Sequence, residues 1–136
     1  MVFKITASLE RIGDFGVHLV KAAEKLSRRP TFGAMERIER MVETGQEMLK
    51  AAFTAYLAQD VDIARQAASL DDKIDYEHKA LTAEVLSLMK KRPELVKPAA
   101  RLLKLSGYME RLGDHITGIC ECVIYMVEGH HENLNL

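Results

Sequence analysis

The chain lacks tryptophan altogether and has three prolines, eight glycines and two cysteines among its 136 residues. Two cysteines cannot make the disulfide framework of a small secreted scaffold. Cys120 and Cys122 are two residues apart, so on a helix they point roughly 200° from one another and neither close a bridge nor share a metal. They are expected to be reduced thiols on or near a packed face. Net charge is missing too: 19 basic residues against 20 acidic ones leave −1. Nothing global therefore calls for nucleic acid or an anionic membrane surface. There is no long apolar run. The most apolar stretch, Ile116 to Val127, contains Glu121 and is far shorter than the roughly 20 residues that span a bilayer. No signal peptide is visible, because Glu10 and Arg11 arrive before any apolar run develops. These absences imply a cytoplasmic protein that reaches a membrane only through a partner. No Ser/His/Asp or Cys/His arrangement, phosphate-cradling glycine loop or Cys-x-x-Cys suggests other chemistry.

What is plentiful is alanine, leucine, glutamate, lysine and methionine, a mixture that favours helix. The pattern predicts four long helices in one all-α domain over residues 1–136. The first runs from Phe3 to Arg28 and is stopped by Arg29-Pro30-Thr31-Phe32-Gly33. The second covers Ala34 to Ala58. The third opens on Asp60, a good N-cap, and continues to Lys91. The fourth starts at Pro93 and ends near Glu128, where Gly129 suits a helix C-cap. No strand pattern competes, and short loops between long helices predict an up-and-down bundle.

The third segment shows its buried seam plainly: Ala64, Ala67, Asp71, Ile74, His78, Leu81, Val85 and Leu88 alternate spacings of three and four. Asp71 and His78 stand on it where apolar residues are expected. The fourth segment carries a similar stripe, from Leu95 and Ala99 through Leu102, Ser106, Met109, Gly113, Ile116, Cys120 and Val123 to Val127. Glu110 and Asp114 lie about 100° around from that stripe, which puts them at the margin of the core.

A short phrase recurs one hundred residues apart. Leu9-Glu10-Arg11-Ile12-Gly13-Asp14 returns as Met109-Glu110-Arg111-Leu112-Gly113-Asp114. Each copy sets two carboxylates one helical turn apart on one face, where like charges repel. A third such pair, Asp71 and Asp75, stands on the third segment. A cation bound between pairs on facing helices would remove the repulsion, and hard cations such as Mg²⁺, Mn²⁺ and iron favour these oxygen ligands. Solvated acidic faces are the alternative. His78, one turn after Asp75, is either a nitrogen ligand or a hydrogen-bonded seam histidine. His115, His130 and His131 read as surface residues, and Glu128 with His131 is a weak Glu-x-x-His string across Gly129. Arg11 and Arg111 suit surface ion pairs better than anion sites. The basic clusters Arg28-Arg29 and Lys90-Lys91-Arg92 sit at helix C-termini, where they complement the dipole. Gly13 and Gly113 weaken a helix, so a glycine in both copies predicts close approach by a neighbouring helix.

At these residues the chain resembles the PhoU family of phosphate-uptake regulators, two-repeat molecules in which each repeat is a three-helix bundle. Glu110-Arg111-Leu112-Gly113-Asp114-His115, followed by Val123-Ile124-Tyr125-Met126-Val127-Glu128-Gly129, resembles the end of a family member. Asp71-Asp72-Lys73-Ile74-Asp75 is similar to the family's other acidic motif. Glu10 to Asp14 resembles the last helix of a first repeat, with Phe15 in place of the usual His. By this resemblance residues 34–128 form a complete second repeat, and 3–28 form the last helix of a first repeat whose other two helices are absent.

The resemblance implies a cytosolic, non-enzymatic regulator, peripheral at the inner membrane through its partners. Those are the phosphate ABC transporter and its sensor histidine kinase, and the regulator restrains the phosphate-starvation response. It also implies a metal ion or small cluster (Fe, Zn, Mn or Mg) held by Asp71, Asp75, Glu110 and Asp114, with no organic cofactor. Glu10, Asp14 and His78 are further candidates. Glu10 and Asp14 have no partner pair within the chain, so a homodimer would be needed to complete them. Two rival readings are a ferritin-like carboxylate di-metal oxidase, whose Glu-x-x-His pairs the chain only approximates with Asp75 and His78, and a metal-free structural domain associated with a phosphate transporter.

Overall fold

Apolar side chains recurring at alternating spacings of three and four residues need a second helix to cover them, and the structure meets that need with helices throughout. It is a computed structural model that describes residues 2–26, 34–129 and 132–134. Five α-helices follow one another: α1 (Val2–Leu26), α2 (Ala34–Ala58), α3 (Val61–Ser69), α4 (Asp71–Lys91) and α5 (Val96–Glu128). A short 3₁₀ turn, Pro93–Leu95, precedes α5. No helix among the described residues is long and apolar enough to cross a membrane.

Two boundaries follow the chemistry of their end residues. Asp60 caps α3, its carboxylate accepting from the Ile63 N–H at 3.1 Å. Gly129 closes α5 in the left-handed conformation, φ 75°, which costs glycine nothing. The start of the last helix differs from expectation. Pro93 opens the 3₁₀ turn, and the α-helix begins three residues later, at Val96.

The third segment also differs from the single helix its seam predicts. It is interrupted at Leu70, whose backbone stays right-handed, φ −66° and ψ −21°. There the ladder tightens to three-residue bonds, Leu70 N–H to Ala67 O at 3.2 Å and Lys73 N–H to Leu70 O at 3.1 Å. The local residues explain it. Ser69 turns its hydroxyl back onto the Gln66 carbonyl at 2.6 Å. Asp71 and Asp72 then sit in a first helical turn, where acidic groups are favoured by the dipole. The segment carries on in one direction, so the four-rod architecture stands.

α5 is the wall against which everything else packs. α1, α2, α3 and α4 all contact it, and among the described residues α1 contacts no other element. One face of α5 buries Leu102, Met109, Ile116, Cys120 and Val123 against the core-facing side of α2, where Ile38, Met41, Met48, Ala52 and Ala55 are buried. Val127, expected on this stripe, is exposed instead. Ile119 and Cys122 are buried on the second side of α5, beside Gly118, where a Cβ would stand 3.8 Å from Ser8 Oγ of α1. The His18 ring of α1 stacks on Tyr108 there, centroids 5.0 Å apart. Both cysteines are free and buried, as their spacing predicts.

Polar ties fix the outer helices. Arg37 bridges Glu77 at 2.8 Å and Glu84 at 2.7 Å, and Arg40 joins Glu77 at 3.0 Å, fastening α2 to α4. Arg65 reaches Glu128 and Glu132, tying α3 to the end of the chain. Pairs this exposed contribute little stability and act mainly on register. The stability comes from the core, so Ile116→Ala, at a fully buried position, is expected to cost about 3 kcal/mol of unfolding free energy in a urea titration.

Candidate metal centre

Asp71 opens α4, and one turn later comes Asp75. Across the α4–α5 contact the facing turns of α5 carry Glu110 and Asp114. Carboxylate oxygens of Asp71, Asp75 and Asp114 all lie within 4.8 Å of one another. Asp71 is buried, 4% exposed, whereas Asp75, Asp114 and Glu110 are half-buried at the margin, as the stripe on α5 predicts. Glu110 shares a hydrogen bond with Asp114, as does Asp71, so it adjoins the three-carboxylate group without being part of it.

Close approach of the two helices makes this possible. Gly113 is buried, and a Cβ there would collide with Asp71 Oδ1 and stand 3.3 Å from Ile74 Cδ1. The missing side chain is the space that Asp71 occupies. Gly13, in the other copy of the phrase, does not play this part: it is exposed, and no described residue approaches the position of its Cβ.

Four carboxyl groups in so small a volume cannot all stay ionised without compensation. Burial, reinforced by the charges of Asp75, Asp114 and Glu110, pushes the Asp71 carboxyl up to about 7. Glu110 is also pushed up to about 7, by burial and then by its hydrogen bond to Asp114 and that group's charge. Burial followed by the charge of Asp114 raises Asp75 as well, against an opposing pull from Lys79. Protons answer part of the problem. They leave Asp71 Oδ1 as the one buried side-chain oxygen or nitrogen among the described residues with no hydrogen-bond partner. An unpaired buried acceptor is costly, and it is the kind of atom a cation would satisfy. The donor set, all oxygen and all anionic, fits a hard divalent or trivalent ion.

The other candidates lie elsewhere. Glu10 and Asp14 are exposed on α1 and join no three-ligand group among the described residues. The His78 Nδ1 sits 2.6 Å from Ser106 Oγ, which also contacts Met41 Sδ at 3.8 Å. His78 is thus held at the seam through Nδ1 by a fully buried serine, and it stands close enough to Asp75 to favour that group's carboxylate form. His115 is half-buried rather than on the surface. Glu128 is engaged by Arg65, while His130 and His131 lie outside the described residues, as do Arg28 and Arg29. Arg11 and Arg111 are exposed, and the Arg111 charge acts on Glu110. The sequence offers a hydrogen-bonded histidine at His78 without naming Ser106 as its partner. The signal for the His78–Ser106 bond was present, since both polar residues stand on apolar stripes. Nothing local marks Glu77 as the common partner of Arg37 and Arg40.

A family model described as the PhoU domain matches residues 38–123, which include all four carboxylates of α4 and α5 and exclude Glu10 and Asp14. The chain belongs to the PhoU family. It is 31% identical over 132 residues to a phosphate-specific transport system accessory protein PhoU homolog of Clostridium acetobutylicum, covering 97% of this chain and 60% of that one. A protein of the same description from Caulobacter vibrioides is 34% identical over 127 residues, 93% of this chain and 55% of its own. The crystal structure of the phosphate transport system regulatory protein PhoU from Streptococcus pneumoniae superposes with a TM-score of 0.85 at 28% identity. It covers 95% of this chain and 61% of that one. This chain therefore spans about 60% of the length of such relatives.

Two outcomes follow from the geometry. Gly113→Ala forces Asp71 out of its seat and is expected to destabilise the protein by about 2 kcal/mol. In an Asp71→Ala background the same change should cost far less, a coupling that a double-mutant cycle measures. The second concerns pH in chelator-treated protein. Asp71 and Glu110 titrate higher in the folded chain than in the unfolded one, so folding takes up protons. The resulting stability is complete below about pH 4 and is lost as pH rises through 7. Asp71 alone should account for about 2 kcal/mol between pH 5.5 and 8.5, read from urea midpoints, and Asp71→Asn should flatten the profile.

Proposed function

We propose that this chain is a non-enzymatic accessory protein of phosphate uptake whose α4–α5 contact is closed by a metal ion. The observation that carries the metal reading is the buried, unpaired Asp71 Oδ1 beside Asp75 and Asp114, inside the span that matches the PhoU domain. Asp71, Asp75 and Asp114 would hold the ion, with Glu110 either joining them or orienting Asp114 through their shared hydrogen bond. The bound ion supplies positive charge in place of protons. Asp71, held against Gly113, then fixes the crossing of the two helices, so metal occupancy sets the outward shape of the bundle. Iron, zinc, manganese and magnesium are the candidate ions, and no organic cofactor is involved.

The partners follow from the family. The relatives' names place them with the phosphate-specific transport system, and this chain is proposed to act on the cytoplasmic side with the phosphate ABC transporter and its sensor histidine kinase. It restrains phosphate-starvation signalling when phosphate is plentiful. A homodimer through the outer face of α1, where Glu10, Asp14 and Val17 are exposed, would give that acidic pair a facing surface. The rival di-metal oxidase needs a histidine at the carboxylates, and the position of His78 Nδ1 against Ser106 disfavours it.

Metal analysis of the purified chain tests the site. The wild-type protein is expected to retain metal, and an Asp75→Ala, Glu110→Ala double variant to lose most of it; equal metal content in the two would overturn the site. The regulatory role is read separately. In a bacterium lacking its own PhoU, this chain should restore repression of a phosphate-starvation reporter in phosphate-rich medium, and unrelieved derepression would count against it.

A further inference from the structure

The chain's net charge of −1 conceals how its charges are sorted. The arginines of α2 and α3 are engaged by carboxylates: Arg37 and Arg40 by Glu77 and Glu84, Arg65 by Glu128 and Glu132. The cations of α1 and α5 are arranged differently. Along α1 stand Lys4, Arg11 and His18, seven residues apart, and along α5 stand Lys97, Lys104 and Arg111 at the same interval. Seven residues are nearly two turns, so each set drifts only about 20° per step and forms a straight row, its members roughly 10.5 Å apart. All six are exposed. None of the lysines and arginines in the two rows takes part in a salt bridge among the described residues.

The rows border one seam. The His18 ring stacks on Tyr108, centroids 5.0 Å apart, and the Lys104 ammonium stands 6.0 Å from the centre of the same ring. Toward the start of α1, burial raises the Cys122 thiol of α5 and the Lys4 charge pulls it back, so Lys4 is close to α5 there. With Ser8 beside Gly118, these contacts run the two helices antiparallel. Few acids interrupt the flank. At 100° per residue Asp14 falls about 40° round from His18, and Glu10 about 100° from Arg11. Asp114, about 60° round from Arg111, is turned into the carboxylate cluster.

The kind of partner follows from the shape. Two rods side by side make a broad, shallow face, and the stacked His18 and Tyr108 rings fill its seam partway along. A helix laid in a groove finds no open furrow at that point, and the Tyr108 ring, already stacked, is a poor platform for a nucleic-acid base. Cations a heptad apart also miss the one-turn spacing at which a helix presents neighbouring carboxylates. A plane of negative charge needs no register, and anionic leaflets attract clusters of roughly four to eight lysines and arginines. We propose that the α1–α5 flank docks directly on the anionic headgroups of a bilayer, with Lys4, Arg11, Lys97, Lys104 and Arg111 facing the lipid and both helices lying along its surface. The contact is electrostatic and peripheral, since no described helix is long and apolar enough to cross a membrane. None of these five side chains belongs to the carboxylate cluster, so the proposal stands whether or not metal binds.

Co-sedimentation of the whole chain with vesicles tests it. The vesicles are phosphatidylglycerol and phosphatidylcholine in a one-to-two ratio, against phosphatidylcholine alone. At low salt the chain is expected to bind the anionic vesicles at least tenfold more tightly than the neutral ones, and to be released as added salt screens the charges. Lys97→Glu with Lys104→Glu should weaken binding at least tenfold, and so should Lys4→Glu with Arg11→Glu on the other row. Lys97→Arg with Lys104→Arg should preserve it. The control is Lys50→Glu with Lys73→Glu, the same change of net charge at exposed positions of α2 and α4, which should bind nearly as the wild type does. Every substituted position is exposed, so circular dichroism should report the same helix content in each variant. No binding to anionic vesicles, equal binding to neutral ones, or an equal loss in the control pair would overturn the proposal. If the vesicles are not bound but a glutamate–leucine helical peptide is, and Lys97→Glu with Lys104→Glu abolishes that binding, the occupant is an acidic protein and the proposal fails.

Discussion

The structure turns on one contact: the Asp71 carboxylate seated where Gly113 has no side chain. It sets how near α4 comes to α5, and it brings two acidic pairs, each tolerable on its own helix, into one cluster. Burying a carboxylate against backbone is unfavourable, and the fold accepts it only with protons or a cation to neutralise the group. The interruption at Leu70 belongs to the same arrangement. By restarting the helix at Asp71 it places that residue in a first turn, where the helix dipole offsets part of the cost.

α5 makes the rest possible. It is buried on two sides, toward α2, α3 and α4 on one and α1 on the other. One helix therefore carries half of the carboxylate cluster and the seat of α1. In a PhoU-family chain that spans about 60% of its relatives' length, this shared wall keeps the domain-matching region and the additional helix together.

Much of this could be read from the residues. The seam of alternating spacings identified the buried faces of the third and fourth segments, Asp60 and Gly129 announced their caps, and the i, i+4 acids named the members of the cluster. Other readings were beyond local pattern. Gly13 and Gly113 stand in the same phrase, yet only Gly113 is pressed by a neighbour, because only that copy faces α4. The helix restart at Leu70 hid inside an unbroken apolar rhythm, since a tightened turn shifts the backbone bonds without shifting the stripe.

What the sequence by itself determined is helix content, the amphipathic faces, the cap chemistry and which acids stand one turn apart. These depend on the 3.6-residue period and on the preferences of single residues, both local. Tertiary structure alone decided which acidic pairs meet. Asp71 and Asp75 find Glu110 and Asp114 because α4 and α5 cross at a glycine, whereas Glu10 and Asp14, spaced identically, face outward. Spacing along a helix fixes the direction of a side chain about its own axis, but the partner across from it is set by the packing of another helix.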